Sequence, residues 1–470
     1  MFNYRVRLTK MTSFILIVIL LPVLIFAACN ASDEHAGNPA GTLDPELRKS
    51  LSGEFKSHLM NHILNPWYPA SVDEESGGFN TRFNYQWNAD DQQPRMIVSQ
   101  SRLIWTASIA AEFVDDKETD RLLKAAEHGF HYLKEVMWDQ EYGGFYNQVS
   151  REDSVVQNLN DRTIKEAYGN AFAIYGLAAY VKATGNQDAL ELAVDTFQWL
   201  ETHSYDAEHG GYFNIMERDG TPLTTGLDRT PPKDQNSSIH LLEAFTELYH
   251  VWPDPLLEER LNEMLTLIRD TIRIDPGYLV LFSEADWTPV SYRDSSDQVR
   301  EENYYFDHVS FGHDVETAFL MIEASETLGI RNDSTTHHYA KQMVDHSLKT
   351  GWDHENGGFY DGGYYFDKDE DLVVVRDTKT WWAQAEGLNA LLLMSLLYPD
   401  DEMEYQRYFL QMWDYINEYF IDHEYGGWYE SGLDKSPDSR YDAKGHIWKT
   451  NYHDGRAMMN GIRLLNKLQD

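Results

Sequence analysis

Apolar residues recur at helical spacing in twelve stretches: residues 44–64, 97–113, 118–137, 165–184, 187–203, 236–252, 255–273, 312–328, 334–351, 380–398, 401–420 and 452–469. Breakers stand where helices must end, at Gly185-Asn186, Pro253 with Pro255, Gly329 and Pro399. A second pattern falls between the helical stretches. Asp-x-Glu-x-Gly-Gly-aromatic occurs at Asp73 to Phe79, Asp139 to Phe145, Asp206 to Tyr212, Asp353 to Phe359 and Asp422 to Trp428. The copies start 66, 67, 147 and 69 residues apart, and the long interval holds a degraded copy, Asp275-Pro276-Gly277-Tyr278. Six units of nearly equal length imply a closed ring or a solenoid. Gly-Gly permits a tight turn with positive φ, and the flanking aromatics suit short strands. One unit therefore reads helix, short turn, helix, β-hairpin loop.

Twelve helices in six hairpins predict an all-α fold, an (α/α)6 toroid with six inner and six outer helices spanning residues 45–470. The first helix has no partner before it and is expected to pair with the last, closing the ring. A toroid also explains how one core extends beyond the usual domain size. The repeated Asp and Glu are expected to tie the turn to neighbouring backbone N–H groups, because catalytic residues seldom recur in every repeat.

The ends of the chain add a destination. Residues 1–28 form a targeting segment: Arg5, Arg7 and Lys10, then an apolar run from Ser13 to Phe26. The run ends in Phe26-Ala27-Ala28-Cys29, and Cys29 is the only cysteine among 470 residues. Small residues before a lone Cys resemble a bacterial lipoprotein processing site, which implies cleavage before Cys29 and lipidation of its thiol. Ordinary signal cleavage nearby is the alternative. Residues 29–44 read as a flexible tether, and no disulfide can form within the chain. The expected location is the cell envelope, as a periplasmic or outer-membrane lipoprotein touching the membrane only through its anchor, and monomeric. The net charge is −38, and about −41 without the first 28 residues, which carry three basic and no acidic side chains. Such acidity argues against nucleic acid and anionic lipid surfaces as partners, and disfavours an anionic substrate.

In a toroid the N-terminal ends of the inner helices converge on one face. The starts of every second helix carry Arg102; Tyr168; Asn236 and His240; His313 and Glu316; Trp381, Trp382 and Glu386; and His453 with Arg456. Outer helix starts carry nothing comparable: Lys117-Glu118, Asn186-Gln187, Asp254-Pro255 and Asp400-Asp401. Capping and ordinary core histidines would account for one of these, but not for three His on three inner helices. Neutral imidazoles and carboxylates at helix starts suit proton transfer near pH 7, and a positioned Arg suits an enediolate oxygen. Trp105, Trp381, Trp382 and Trp448 offer flat faces of the kind that stack on sugar rings. His240, His313 and His453 are far apart in sequence without a close metal-binding pair, so no metal is expected.

Five motifs carry a resemblance: Ser99-Gln100-Ser101-Arg102-Leu103-Ile104-Trp105, the run from Asn236 to Ala244, the run from Ser310 to Glu316, the run from Trp381 to Glu386, and the run from Trp448 to Arg456. On these the chain resembles the N-acylglucosamine 2-epimerase superfamily, and within it the cellobiose 2-epimerases. The resemblance implies a cofactor-free epimerase acting at carbon 2 of the reducing-end sugar of a β-1,4 disaccharide, through ring opening and a cis-enediolate. It implies His313 and His453 as the acid/base pair and His240 as support for proton movement. It makes Arg102, Asn236, Glu316 and Glu386 holders of the opened sugar. Trp382 and Trp448 would stack on the rings and Tyr168 would line the pocket. Phe319 and Thr450-Asn451 depart from the residues common in relatives, which leaves cellobiose or mannobiose open as substrate. The alternatives are an N-acylglucosamine 2-epimerase, an aldose–ketose isomerase, an (α/α)6 glycoside hydrolase using Glu316 and Glu386 as opposed carboxylates, and a non-catalytic sugar-binding lipoprotein.

Overall fold

The computed structural model describes residues 43–157, 162–366 and 371–467. Cys29, the targeting segment and most of the tether lie outside the described residues. Leu43, assigned above to the tether, is buried, and the Asp44 side chain caps the first helix.

Fourteen α-helices lie among the described residues: α1 (Pro45–His58), α2 (Asn65–Ser71), α3 (Ile97–Ala110), α4 (Asp116–Tyr132), α5 (Ala167–Thr184), α6 (Gln187–His203), α7 (Gln235–Val251), α8 (Pro255–Leu267), α9 (Asp297–Asp307), α10 (Phe311–Thr327), α11 (Ser334–Thr350), α12 (Trp381–Leu397), α13 (Tyr405–Tyr419) and α14 (Tyr452–Asn466). Helices α3, α5, α7, α10, α12 and α14 pack each on the next, and α14 returns to α3. This is the inner ring. Outside it, α4, α6, α8, α11 and α13 each pack on the inner helix before them, and α1 packs on α14. The (α/α)6 toroid and its closure by the first and last helices stand as expected.

Amphipathicity explains the two rings. Inner α5 is buried without a break from Ala167 to Val181. Outer α13 buries only Tyr405, Tyr408, Phe409, Met412, Trp413, Tyr415 and Ile416, one stripe at helical spacing. Helix α9 was not legible in this way. It buries only Asn303 and Asp307, so it has no apolar stripe. Tertiary bonds hold it instead. Asp307 accepts from Ser291 Oγ (3.0 Å), the Tyr292 N–H (2.6 Å) and the Tyr364 hydroxyl (3.0 Å).

The five repeats are five copies of one turn. Both glycines of each copy have positive φ, from +62° at Gly78 to +87° at Gly357. The Asp carbonyl accepts from the first Gly N–H and the Asp N–H donates to the second Gly carbonyl in every copy. The Asp carboxylate accepts from the next N–H groups, as at Glu75 and Ser76 (3.2 and 3.1 Å). That matches the expected role for Asp. The Glu differs: Glu75 and Glu141 reach out to Arg151 and Arg218 (3.0 and 3.1 Å).

Each repeat Asp also has a buried cation that the repeat pattern did not reveal. The pairs are Asp73–Arg95 (2.6 Å), Asp139–Lys165 (3.0 Å), Asp206–Lys233 (2.7 Å), Asp353–Lys379 (2.7 Å) and Asp422–Lys444 (2.5 Å). Arg95, Lys165 and Lys233 lie in short strands leading directly into α3, α5 and α7, and Lys379 lies two residues before α12. These strands pair antiparallel with segments beyond the next turn: Arg95–Met96 with Gln148–Val149, Ile164–Glu166 with Ile215–Glu217, and Lys233–Asp234 with Phe282–Ser283. Turn, cation and strand together fix where α3, α5 and α7 begin.

Candidate active site

The fixed helix starts bring the predicted residues together. Tyr168, Asn236, Trp382 and His453 are each the second residue of an inner helix. His313 is the third residue of α10, and Arg102, His240, Glu316 and Glu386 lie in the second turn of theirs. Trp448 precedes α14 and is 46% exposed, a rim position, whereas Tyr168, His240, Glu316, Glu386 and His453 are buried.

Every histidine of the three has Nδ1 engaged. His240 Nδ1 meets Glu243 Oε2 at 2.8 Å, His453 Nδ1 meets Glu386 Oε1 at 2.7 Å, and His313 Nδ1 meets Ser310 Oγ at 2.7 Å. The nitrogen left for a ligand is therefore Nε2 in each. Trp382 lies close to two of them, with ring centroids 4.7 Å from His313 and 6.0 Å from His453. Gly312 makes this possible, because a Cβ there would stand 2.7 Å from the Trp382 ring.

Burial pushes the His313 pKa down to about 3, helped by the neighbouring His240, His308 and His453. His313 is only partly shielded from solvent, so this shift reflects the protein mass around the pocket wall. Burial also holds His453 well below the usual imidazole value, with Arg102 and Arg456 acting in the same direction. Both rings are neutral at pH 7.

The carboxylates form a second group. Arg456 bonds Glu243, Glu316 and, at 2.7 Å, Glu386. Tyr452 donates to Glu243. Burial raises Glu386, and burial together with Glu386 pushes Glu316 up to about 7 against the pull of Arg456. Burial would raise Glu243 as well, but Arg456 and His240 outweigh it and hold that carboxyl at about 2. Glu316, Glu386 and His453 bring ligand-type atoms within 4.8 Å of one another, a grouping their sequence separation hid. The cation bonded to both of these carboxylates is Arg456.

Arg102 keeps different company. It donates to the Trp448 carbonyl (3.1 Å) and the Tyr168 hydroxyl (3.2 Å), and its guanidinium lies over Phe172 (4.4 Å) and Tyr452 (4.9 Å). These partners are all neutral. Asn236 lies beside the Tyr168 hydroxyl.

Glu243 and Tyr452 were missing from the predicted site although they lie inside its motifs, and Arg456 was named at the start of its helix without a role. Their spacing was the available signal. Glu243 is three residues after His240 and Arg456 three after His453, one helical turn in each case, and a group of buried carboxylates requires a cation.

The profile of the N-acylglucosamine 2-epimerase (GlcNAc 2-epimerase) family matches residues 77–454. The chain belongs to this family. It is similar to the cellobiose 2-epimerase of Bacteroides fragilis, 28% identical over 411 residues that cover 86% of this chain and 97% of the relative. It is also similar to the D-mannose isomerase of Marinomonas mediterranea, 25% identical over 426 residues covering 88% and 98%. Among solved structures, the cellobiose 2-epimerase of Spirochaeta thermophila superposes with a TM-score of 0.76 at 27% identity, covering 90% of this chain and 99% of that one. The chain is thus an isomerase, a carbohydrate epimerase on an (α/α)6 toroid.

Proposed function

We propose that the enzyme epimerises carbon 2 of the reducing-end sugar of a β-1,4 disaccharide, converting cellobiose to glucosyl-mannose or acting likewise on mannobiose. The observation that carries this reading is the pair of neutral imidazoles, His313 and His453, both close to Trp382 and each tied at Nδ1. The sugar ring opens. One imidazole removes the proton at carbon 2 and becomes an imidazolium, and the other, protonated from solvent at Nε2, gives a different proton on the opposite face. The intermediate between the two transfers is a cis-enediolate, and exchange with water resets both rings. Glu386 accepts the Nδ1–H of His453, which directs Nε2 at the substrate and stabilises the imidazolium. Arg102, bonded to no carboxylate among the described residues, takes the negative charge on the enediolate oxygen. His240 relays protons among the sugar oxygens, Asn236, Glu316 and Tyr168 hold the open chain, and Trp382 and Trp448 cover its apolar faces. None of these steps calls for a cofactor. The test is incubation with cellobiose and with mannobiose in deuterated water. An epimeric disaccharide with deuterium at carbon 2 supports the reading, and release of monosaccharide would overturn it.

The likeness to D-mannose isomerases supports a second outcome from the same enediolate. Proton return to carbon 1 instead of carbon 2 gives a ketose, and the same incubation distinguishes the two. We also propose that Cys29 is lipidated and anchors the enzyme in the cell envelope. This rests on the basic start, the apolar run and the lone cysteine. Metabolic labelling with a radioactive fatty acid tests it, and an unlabelled Cys29→Ala chain is the expected control.

A further inference from the structure

Tyr305 is the most exposed large apolar or aromatic side chain among the described residues, at 69%. It belongs to α9, the helix without an apolar stripe. Two rings flank it, Phe282 at 5.6 Å and Phe306 at 5.7 Å between centroids. Its exposure therefore belongs to a small aromatic surface. That surface is held firmly. Arg229 bonds Asn303 and lies over the Phe306 ring at 5.4 Å. Asp307, at the end of α9, is the three-bond anchor described above. A helix with almost no core of its own is thus fixed from three separate segments, and the aromatic surface is what it presents.

The surface adjoins the active site along two paths. Phe282 pairs with Asp234 in the strand that leads into α7, two residues before Asn236. Tyr305 itself lies eight residues before His313, on the segment that enters α10. The contact with Phe282, which pairs with Asp234, keeps the Tyr305 ring beside the entry to α7, and burial raises its hydroxyl pKa, with the carboxylates of Asp234 and Glu166 acting in the same direction. Glu166 immediately precedes Ala167 and Tyr168. One of its oxygens accepts from Asn147 (2.9 Å), and the side chain is only partly shielded. An aromatic surface at the entry to α7, with a hydrogen-bond-accepting carboxylate at the entry to α5, matches a pyranose ring, whose face is apolar and whose edge is hydroxyl.

We propose that Tyr305, backed by Phe282 and Phe306, is the platform for the second, non-reducing sugar of the substrate, with Glu166 accepting one of its hydroxyls. The proposal rests on the disaccharide reading above and assigns the residues that tell a disaccharide from a monosaccharide. Binding energy from this remote ring can be spent on orienting the reducing end.

The test compares wild type with Tyr305→Ala and Tyr305→Phe, using cellobiose, mannobiose, glucose and mannose. Tyr305→Ala should lower the ratio of disaccharide to monosaccharide kcat/KM by about tenfold, and Tyr305→Phe should keep most of it. Calorimetric titration with cellobiose in the His453→Asn background should show the same loss of affinity without turnover. That arm separates the two readings. If wild type turns over only monosaccharides, the disaccharide reading fails, yet weaker cellobiose binding by Tyr305→Ala still upholds the platform. An unchanged ratio and unchanged cellobiose affinity overturn the proposal. So does a concentration-dependent dimer of wild type that Tyr305→Ala abolishes, because the surface would then cover a second copy of the chain.

Discussion

His453 is governed by its bond to Glu386, and His313 by its bond to Ser310, so the two ends of the proposed proton transfer are fixed differently. Replacing either imidazole by Asn keeps size and removes the base. Each variant should lose about 100- to 10,000-fold in turnover, and the double variant little more, because each half is useless without the other. Steady-state kinetics on one preparation of each check this, and near wild-type turnover in both single variants would contradict the assignment. The pH profile follows from the depressed pKa values. A base whose pKa lies below 6.5 stays unprotonated as pH falls through 6.5 and is lost only nearer its own value. Because His313 is pushed to about 3 and His453 well down, the imidazoles should add no break to kcat/KM near pH 6.5, and a break near neutrality belongs to Glu316, pushed up to about 7. A break at 6.5 that persists in Glu316→Gln would show that the imidazoles titrate as if exposed. At this scale the sequence was informative about residue types and helix starts. It was silent on pairing. His313, Trp382 and His453 are brought together by three helices, and no local pattern shows that Arg456 would meet Glu243, Glu316 and Glu386.

The repeated turn was legible as a turn because Gly-Gly and Asp are local signals. The cations were not, since they follow each Asp after an interval that varies from 22 to 27 residues, and one is Arg where the other four are Lys. Their importance is testable. Burial alone would raise Asp139, but Arg218, Lys165 and the turn N–H groups hold it well below the usual carboxylate range. A carboxyl lowered on folding stabilises above its unfolded value and loses that contribution as pH falls through it. Lys165→Met should therefore cost about 1.5–3 kcal/mol at pH 7, because Arg218 and the turn N–H groups remain, with the gap to wild type narrowing toward pH 4 as the less well compensated carboxyl takes up a proton. Urea unfolding across that range measures it. The inner helices anchor the same turns through neutral amides: Gln100 to Phe79 N–H, Asn170 to Phe145 N–H and Gln384 to Phe359 N–H. In the degraded sixth copy the anchor is Asp314, which accepts from Leu279 N–H (3.0 Å) and whose pKa burial raises well above its ordinary value. A carboxyl raised on folding weakens the fold as pH rises beyond its unfolded value. Asp314→Asn should then melt higher than wild type, by a margin that grows from pH 5 to pH 8. Melting curves with no such growth would contradict the raised pKa.

The whole ring closes without a covalent link, by α1 on α14 and α14 on α3. Asp44 and Leu43 begin that seam, so a chain starting at Thr42 retains everything the ring requires. It should be soluble and as active as the full chain, and loss of activity with the fold intact would show that the first 41 residues do more than anchor. No helix among the described residues is long and apolar enough to cross a membrane. Ring order and the number of units were readable from the period of the repeat, whereas α9 was not, because its stability comes from Arg229, Ser291, Tyr292 and Tyr364 rather than from its own pattern. The charge distribution has a final consequence. A molecule of net charge −38 repels anions on average, while Arg102, among the described residues, bonds and faces only neutral groups. Sugar phosphates and uronates should then be disfavoured at a distance, and an uncharged sugar meets no such barrier. In the proposed mechanism negative charge is created inside, by loss of a proton from carbon 2, beside Arg102. An enzyme working in that way filters its substrates by the charge they carry on arrival and works by the charge they acquire afterwards.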